Sequence, residues 1–140
     1  MPFDVTDTVL IVVGSELVPE EKDRPLAYQL KQAMDKFGDN RFQKAVVVSD
    51  HWFLDNPIFQ ACPSIILGGA GVNKAAAESF NRIPLVWTGG ERAFVHFSLS
   101  DGEAKAAIWG LDERGTTEAL NAFISDGYME QFVARIWKRV

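Results

Sequence analysis

The stretch Thr8-Val9-Leu10-Ile11-Val12-Val13, closed by Gly14, decides how the rest of the chain reads. It is an unbroken apolar run rich in β-branched residues. A strand with one wet face alternates apolar with polar residues. A continuous run fits a strand buried on both faces, as in a parallel sheet. Next along the chain, Asp23 and Pro25 mark a helix start. Leu26, Leu30, Ala33, Met34 and Phe37 then recur at helical spacing, and Gly38 supplies a stop. Lys44 to Ser49 (KAVVVS) reads as a second buried strand. Strand, helix, strand in that order is a βαβ unit, whose crossover is right-handed.

The pattern continues with an irregular segment, Asp50 to Cys62, holding at most one short helical turn. Pro63 to Leu67 is a third strand and ends in Gly68-Gly69-Ala70-Gly71. Val72 to Phe80 (VNKAAAESF) is a helix, and Pro84 to Trp87 a fourth strand. Arg92 to Leu99 and Lys105 to Trp109 form an antiparallel ribbon. Asp101-Gly102 joins them, because a tight type I′ turn needs residues that tolerate positive φ. Thr116 or Thr117 opens a last helical region that Gly127 interrupts. The expectation is one α/β domain over residues 1–140. It has three layers, with a mainly parallel sheet, an antiparallel ribbon at 92–109 and helices on both faces.

Composition narrows the function classes. The chain has 140 residues, 47% apolar and 24% charged, the balance of a folded globule and not of a disordered chain. Lys+Arg number 14 against 19 Asp+Glu, a net charge of −5. An acidic domain is a poor partner for nucleic acid or an anionic membrane. Cys62 is the only cysteine, which excludes an internal disulfide and suits a reducing compartment. The first basic residue is Lys22, so the N-terminal stretch lacks the positive start of a secretory leader. The apolar run Val9–Val13 is far shorter than the ~20 residues that span a bilayer. These features predict a cytoplasmic protein.

Ligands of open parallel sheets bind beyond the carboxyl ends of the strands. Those ends carry Gly14, Ser15 and Glu16; Ser49, Asp50 and His51; Gly68, Gly69, Gly71, Asn73 and Lys74; and Gly110, Asp112, Arg114, Gly115, Thr116 and Thr117. Gly69, Gly71 and Asn73 form a glycine-rich turn into a helix, where free N–H groups suit phosphate or carboxylate. Glycines also serve plain tight turns, and the spacing meets neither the dinucleotide fingerprint nor the P-loop. Arg114 and Thr116 are the second candidate for the same anion. Helix capping is the reading that base rates favour for this segment. Asp50 and His51 are the weak catalytic candidates, a carboxylate beside a general base with no recognisable nucleophile. His96 alternates with Phe94 and Ser98 and reads as a structural or interface histidine. Two histidines and one cysteine offer no zinc spacing, so neither a metal nor a cofactor is expected. Trp52, Phe53 and Phe59 crowd the irregular segment and predict a homo-oligomer.

Residues 63–123 resemble an α/β domain of archaeal surface-layer-type proteins. The residues that carry the resemblance are IILGGAGVNKAAAESF (65–80) and RAFVHFSLSDGEAKAAIWGLDERGTTEALNAF (92–123). They follow that family's order: a strand, Gly-Gly-x-x-x-Asn, an alanine-rich helix, a hairpin, then a glycine six residues before a helix-opening threonine. The resemblance implies a scaffold or assembly role and gives the glycine–asparagine turn no catalytic part. That family commonly has Pro where Ala70 stands, and its members are exported.

Two functions remain open from the sequence. One is a non-enzymatic module that self-associates or docks a partner. The other is a binding protein or enzyme for a small phosphate- or carboxylate-bearing ligand at the carboxyl edge of the parallel strands. An edge filled by the protein's own side chains favours the first.

Overall fold

The computed structural model describes residues 8–15, 17–37, 44–69, 73–79, 82–99 and 104–137. Strands β1 (Thr8–Val13), β2 (Lys44–Ser49), β3 (Ser64–Leu67), β4 (Leu85–Gly89), β5 (Ala93–Ser98) and β6 (Lys105–Gly110) form one six-stranded sheet in the order β2-β1-β3-β6-β5-β4. β2, β1, β3 and β6 run parallel. β5 is antiparallel to both β6 and β4. The fold is α/β, mostly parallel with an antiparallel part, as the sequence predicts.

β1 lies inside the sheet, and every one of its residues is buried. Its alternation separates two cores. Val9, Ile11 and Val13 meet helix α1 (Leu17–Asp35) through Ala27, Leu30 and Met34. The same core takes Leu120 and Phe123 of α4 (Glu113–Ser125) and Phe132 and Val133 of α5 (Tyr128–Ile136). Leu10 and Val12 point the other way, to Phe53 of α2 (Asp50–Asp55), Cys62, and Ala75 and Ala76 of α3 (Lys74–Ser79). Each large apolar side chain taken out of water here contributes about 1.5–3 kcal/mol. Helices on both faces of one sheet make three layers.

Several boundaries differ from the sequence expectation. α1 starts at Leu17 and carries Pro25 inside it. Proline removes one backbone hydrogen bond, but the buried stripe of Ala27, Leu30 and Met34 holds the helix against the sheet. The segment after β2 is regular: α2 is followed by a 3-10 turn, Pro57–Ala61. The Ser49 hydroxyl caps α2 by accepting from Trp52 N at 3.1 Å. α3 is described over Lys74–Ser79, and β4 extends to Gly89. α4 opens at Glu113, three residues before Thr116, because Asp112 is its cap and accepts from Gly115 N at 2.8 Å. The Asp101-Gly102 turn lies outside the described residues.

β6 meets α4 at backbone contact. A Cβ on Gly110 would collide with the backbone of Gly115, and one on Gly115 would collide with the carbonyl of Arg92. Only two glycines allow the strand end, the helix start and the β4–β5 turn to converge. The Leu111 N–H, donated to Arg92 O at 2.9 Å, locks the same junction.

Candidate functional site

The parallel strands bring their carboxyl ends to one rim. β1 connects through α1 to β2 on one side, whereas β3 continues through α3 toward the opposite half of the sheet. The crevice between the ends of β1 and β3 is therefore the topological switch point, where open α/β sheets place their ligands.

Asp50 sits at this crevice and is only 2% exposed. Its Oδ1 accepts from the Ser15 hydroxyl at 2.8 Å and from His51 N at 2.8 Å. Its Oδ2 accepts from Lys74 N at 2.8 Å. Burial pushes this carboxyl up, but the Lys74 N–H, the Ser15 hydroxyl, the His51 N–H and the nearby His51 ring together hold it below its ordinary value. Asn73 is wholly buried beside it. The Asn73 side-chain amide donates to Val12 O and Leu67 O, both at 2.9 Å, and so ties the end of β1 to the end of β3. Its Oδ1 accepts from Ala75 N at 3.0 Å, capping α3. Among the described residues, the Lys74 and Ala75 N–H groups at the start of α3 are thus taken by Asp50 and Asn73.

His51 is exposed on α2, and the Lys74 ammonium lies 3.4 Å from its Nε2. A neutral imidazole can accept that hydrogen bond. Gly69 abuts the neighbouring strand: a Cβ there would lie 3.5 Å from Trp109 Cε3 and 3.8 Å from Gly110 O. Gly71 lies outside the described residues. Asp50, His51 and Asn73 are therefore gathered at the crevice, and Gly69 joins them to the end of β6.

Arg114 and Thr116 take different places. Thr116 is buried, and its hydroxyl donates to Asp112 O at 3.1 Å. That hydroxyl bonds the carbonyl one turn back, and the capping role expected of it belongs to Asp112. Arg114 lines an open depression of about 570 Å³ with Arg92, Glu113, Thr117, Glu118 and Asn121. Arg92 pairs with Asp112 at 3.6 Å across this depression's edge. The Gly115 N–H, aided by Arg92 and Arg114, holds the Asp112 carboxyl below its ordinary value despite some desolvation.

Other groups named from the sequence are structural. His96 Nε2 accepts from Trp109 Nε1 at 3.1 Å, and His96 Nδ1 lies 2.9 Å from Ile83 O. A carbonyl can only accept, so Nδ1 carries the proton and both ring nitrogens are committed. Cys62 is buried, and burial pushes its thiol up while Lys105 acts against that rise. Lys105 Nζ donates to Gln60 O at 2.6 Å and Cys62 O at 2.9 Å, pinning the 3-10 turn to β6. Phe53 is buried, whereas Trp52 is 36% exposed and stacks on Phe59 with centroids 5.1 Å apart.

Sequence reasoning missed two groups. Ser15 reads as a loop hydroxyl, yet it holds Asp50. The signal lies in the pairing: Val13 is level with Ser49, so the residues just past each meet. Asp23 passes as a helix marker but is buried, and burial first, then the charge of Glu113, push its carboxyl up to about 6.

Among the described residues, no group of three His, Cys, Asp or Glu side chains could hold a metal ion. Within the same residues, no helix is long and apolar enough to cross a membrane. Fold and site together define an open three-layer α/β domain whose switch-point crevice holds its own carboxylate, Asp50. No protein-family model and no curated protein matches the chain.

Proposed function

We propose that this chain is a non-enzymatic module that associates with copies of itself, working in the reducing setting of the cytoplasm. The observation that carries the reading is Asp50. A ligand seeking the donors of the switch-point crevice must first displace a carboxylate that already satisfies Ser15, His51 N and Lys74 N. Uncovering that buried group costs the hydrogen bonds it makes, each worth about 1.5–3 kcal/mol where a charge is involved. The apolar surface lies elsewhere. Ile58 is 74% and Leu111 69% exposed. A scaffold role also agrees with what the resemblance of residues 63–123 implies.

Light scattering on the full chain, across micromolar concentrations, tests the reading. The expected mass is a multiple of the chain mass. A strict monomer at every concentration overturns it.

One observation favours a second reading, a small anionic ligand. Arg92 and Arg114 share the depression with Thr117 and Asn121, outside the crevice. A ligand there raises stability by RT ln(1 + [L]/Kd), so micromolar affinity is visible at millimolar concentration. Thermal melting with inorganic phosphate and simple carboxylates decides it. An unchanged melting temperature removes this reading.

A further inference from the structure

We infer that β4 is a self-pairing edge, through which two copies join antiparallel about a two-fold axis into one continuous sheet. The inference rests on the self-association reading and names its surface.

β4 ends the strand order, with β5 on one side and no described strand on the other. An open edge presents unpaired backbone groups, which proteins guard with charge, proline or bulges; β4 has Pro84 just ahead of it and one irregularity, but no charge. The opposite edge, β2, begins with the exposed Lys44. From Ile83 to Gly90 (IPLVWTGG) the β4 segment carries no charge. Leu85 is 49% and Val86 40% exposed on it. An irregularity lies between Leu85 and Trp87, but Trp87, Thr88 and Gly89 pair in regular register with Val95, Phe94 and Ala93. The Tyr128 hydroxyl reaches Val86 O at 3.4 Å. That length is at the weak end of the range, so a strand N–H replaces it at little cost.

Charge identifies the occupant. Arg82 stands just ahead of the strand, and Glu91 and Arg92 just after it. Arg92 is already turned to Asp112 at 3.6 Å. Antiparallel pairing of two copies sets the start of one strand beside the end of the other. Arg82 of each copy then meets Glu91 of its partner, and two-fold symmetry makes the contact twice. An isologous interface requires this kind of self-complementarity.

The test uses sedimentation equilibrium on the full chain. Four proteins are compared: wild type, Val86→Lys, Arg82→Glu, and Arg82→Glu combined with Glu91→Arg. Circular dichroism confirms that each is folded. Wild type is expected to be a dimer. Val86→Lys should raise its dissociation constant at least about tenfold, since each copy then carries a charge into an apolar seam. Arg82→Glu should weaken the dimer, and the added Glu91→Arg should restore it. A wild-type dimer that Val86→Lys leaves intact overturns the β4 surface while self-association stands. Failure of the double exchange to restore the dimer overturns the antiparallel arrangement. A wild-type monomer overturns the self-association reading as well.

Discussion

The parallel and antiparallel halves of this sheet end their business with solvent in opposite ways. At the rim of β1, β2 and β3, Asp50, Asn73 and Ser15 satisfy one another and the neighbouring backbone. Along β4, apolar Leu85 and Val86 stand in solvent on an uncharged edge. One half is covered on both faces and has Asp50 and Asn73 bonded at its end. The other is buried against α4 and α5 and open along its side. The difference teaches that donors expected from topology, here Lys74 N and Ala75 N, can be taken up by the protein's own side chains. Position at a switch point offers donors, and whether they remain on offer depends on which side chain arrives first.

The largest effect tests the seam between the halves. Gly110→Ala drives a methyl into the backbone of Gly115, where nothing flexible can yield. Overpacking of this kind costs roughly 3 kcal/mol or more. Gly69→Ala is the control, because its methyl meets Trp109 at an ordinary 3.5 Å. Urea unfolding should separate the two variants clearly. Equal midpoints would show that β6 and α4 are not rigidly joined.

Next comes the rim. Asp50→Ala strands the Ser15 hydroxyl and the backbone N–H groups of His51 and Lys74. Unfolding free energy should fall by about 2–4 kcal/mol. Its pH dependence has a definite sign. The folded carboxyl lies below the ordinary 3.8, so its contribution is present above that value and fades as pH falls through the folded pKa. The gap between wild type and Asp50→Asn should therefore close in acid.

Asp23 runs the other way. Its folded pKa of about 6 lies above the ordinary 3.8, so the folded state binds the extra proton between these values. Stability from this group is full below 3.8 and is lost as pH rises to 6. Asp23→Asn should melt like wild type near pH 4 and above it at pH 8. The gain is on the order of 3 kcal/mol, from the pKa difference at about 1.4 kcal/mol for each unit. Parallel melting curves at both pH values would show that α1 and α4 do not confine this carboxyl.

How legible this molecule is depends on whether a signal is local. TVLIVV announces a strand buried on both faces because each of its residues says so, but an unbroken apolar run does not say which strands flank it or in what register. Gly110 and Gly115 stand in the sequence only among the groups at a strand end and a helix start, and it is the structure that shows them as a close approach. The start of α1 was not legible. Pro25 looks like a boundary in isolation, and only the packing of Ala27, Leu30 and Met34 makes it an interior residue. The bonds of Asp50 and Asn73 were illegible for a related reason. Asp50 reaches Lys74 N across 24 residues, and Asn73 reaches Val12 O across 61. No window of sequence contains such a bond. Strand ends could be listed, and their occupancy could not.

The smallest effect on stability belongs to the edge, and it completes the contrast. Val86 is 40% exposed and packs against neither core cluster. Its replacement by lysine removes little buried area and leaves every strand pairing in place, so the monomer's unfolding free energy should move by no more than about 0.5 kcal/mol. The same substitution puts a charge where guarded edges normally carry one. Urea unfolding at high dilution, where association does not contribute, measures the first quantity. A large loss there would mean that Val86 supports the fold, and β4 would then be an ordinary structural strand. A negligible loss leaves Val86 without a role inside the monomer, and an apolar residue held in solvent on a sheet edge is then explained by what lies across that edge.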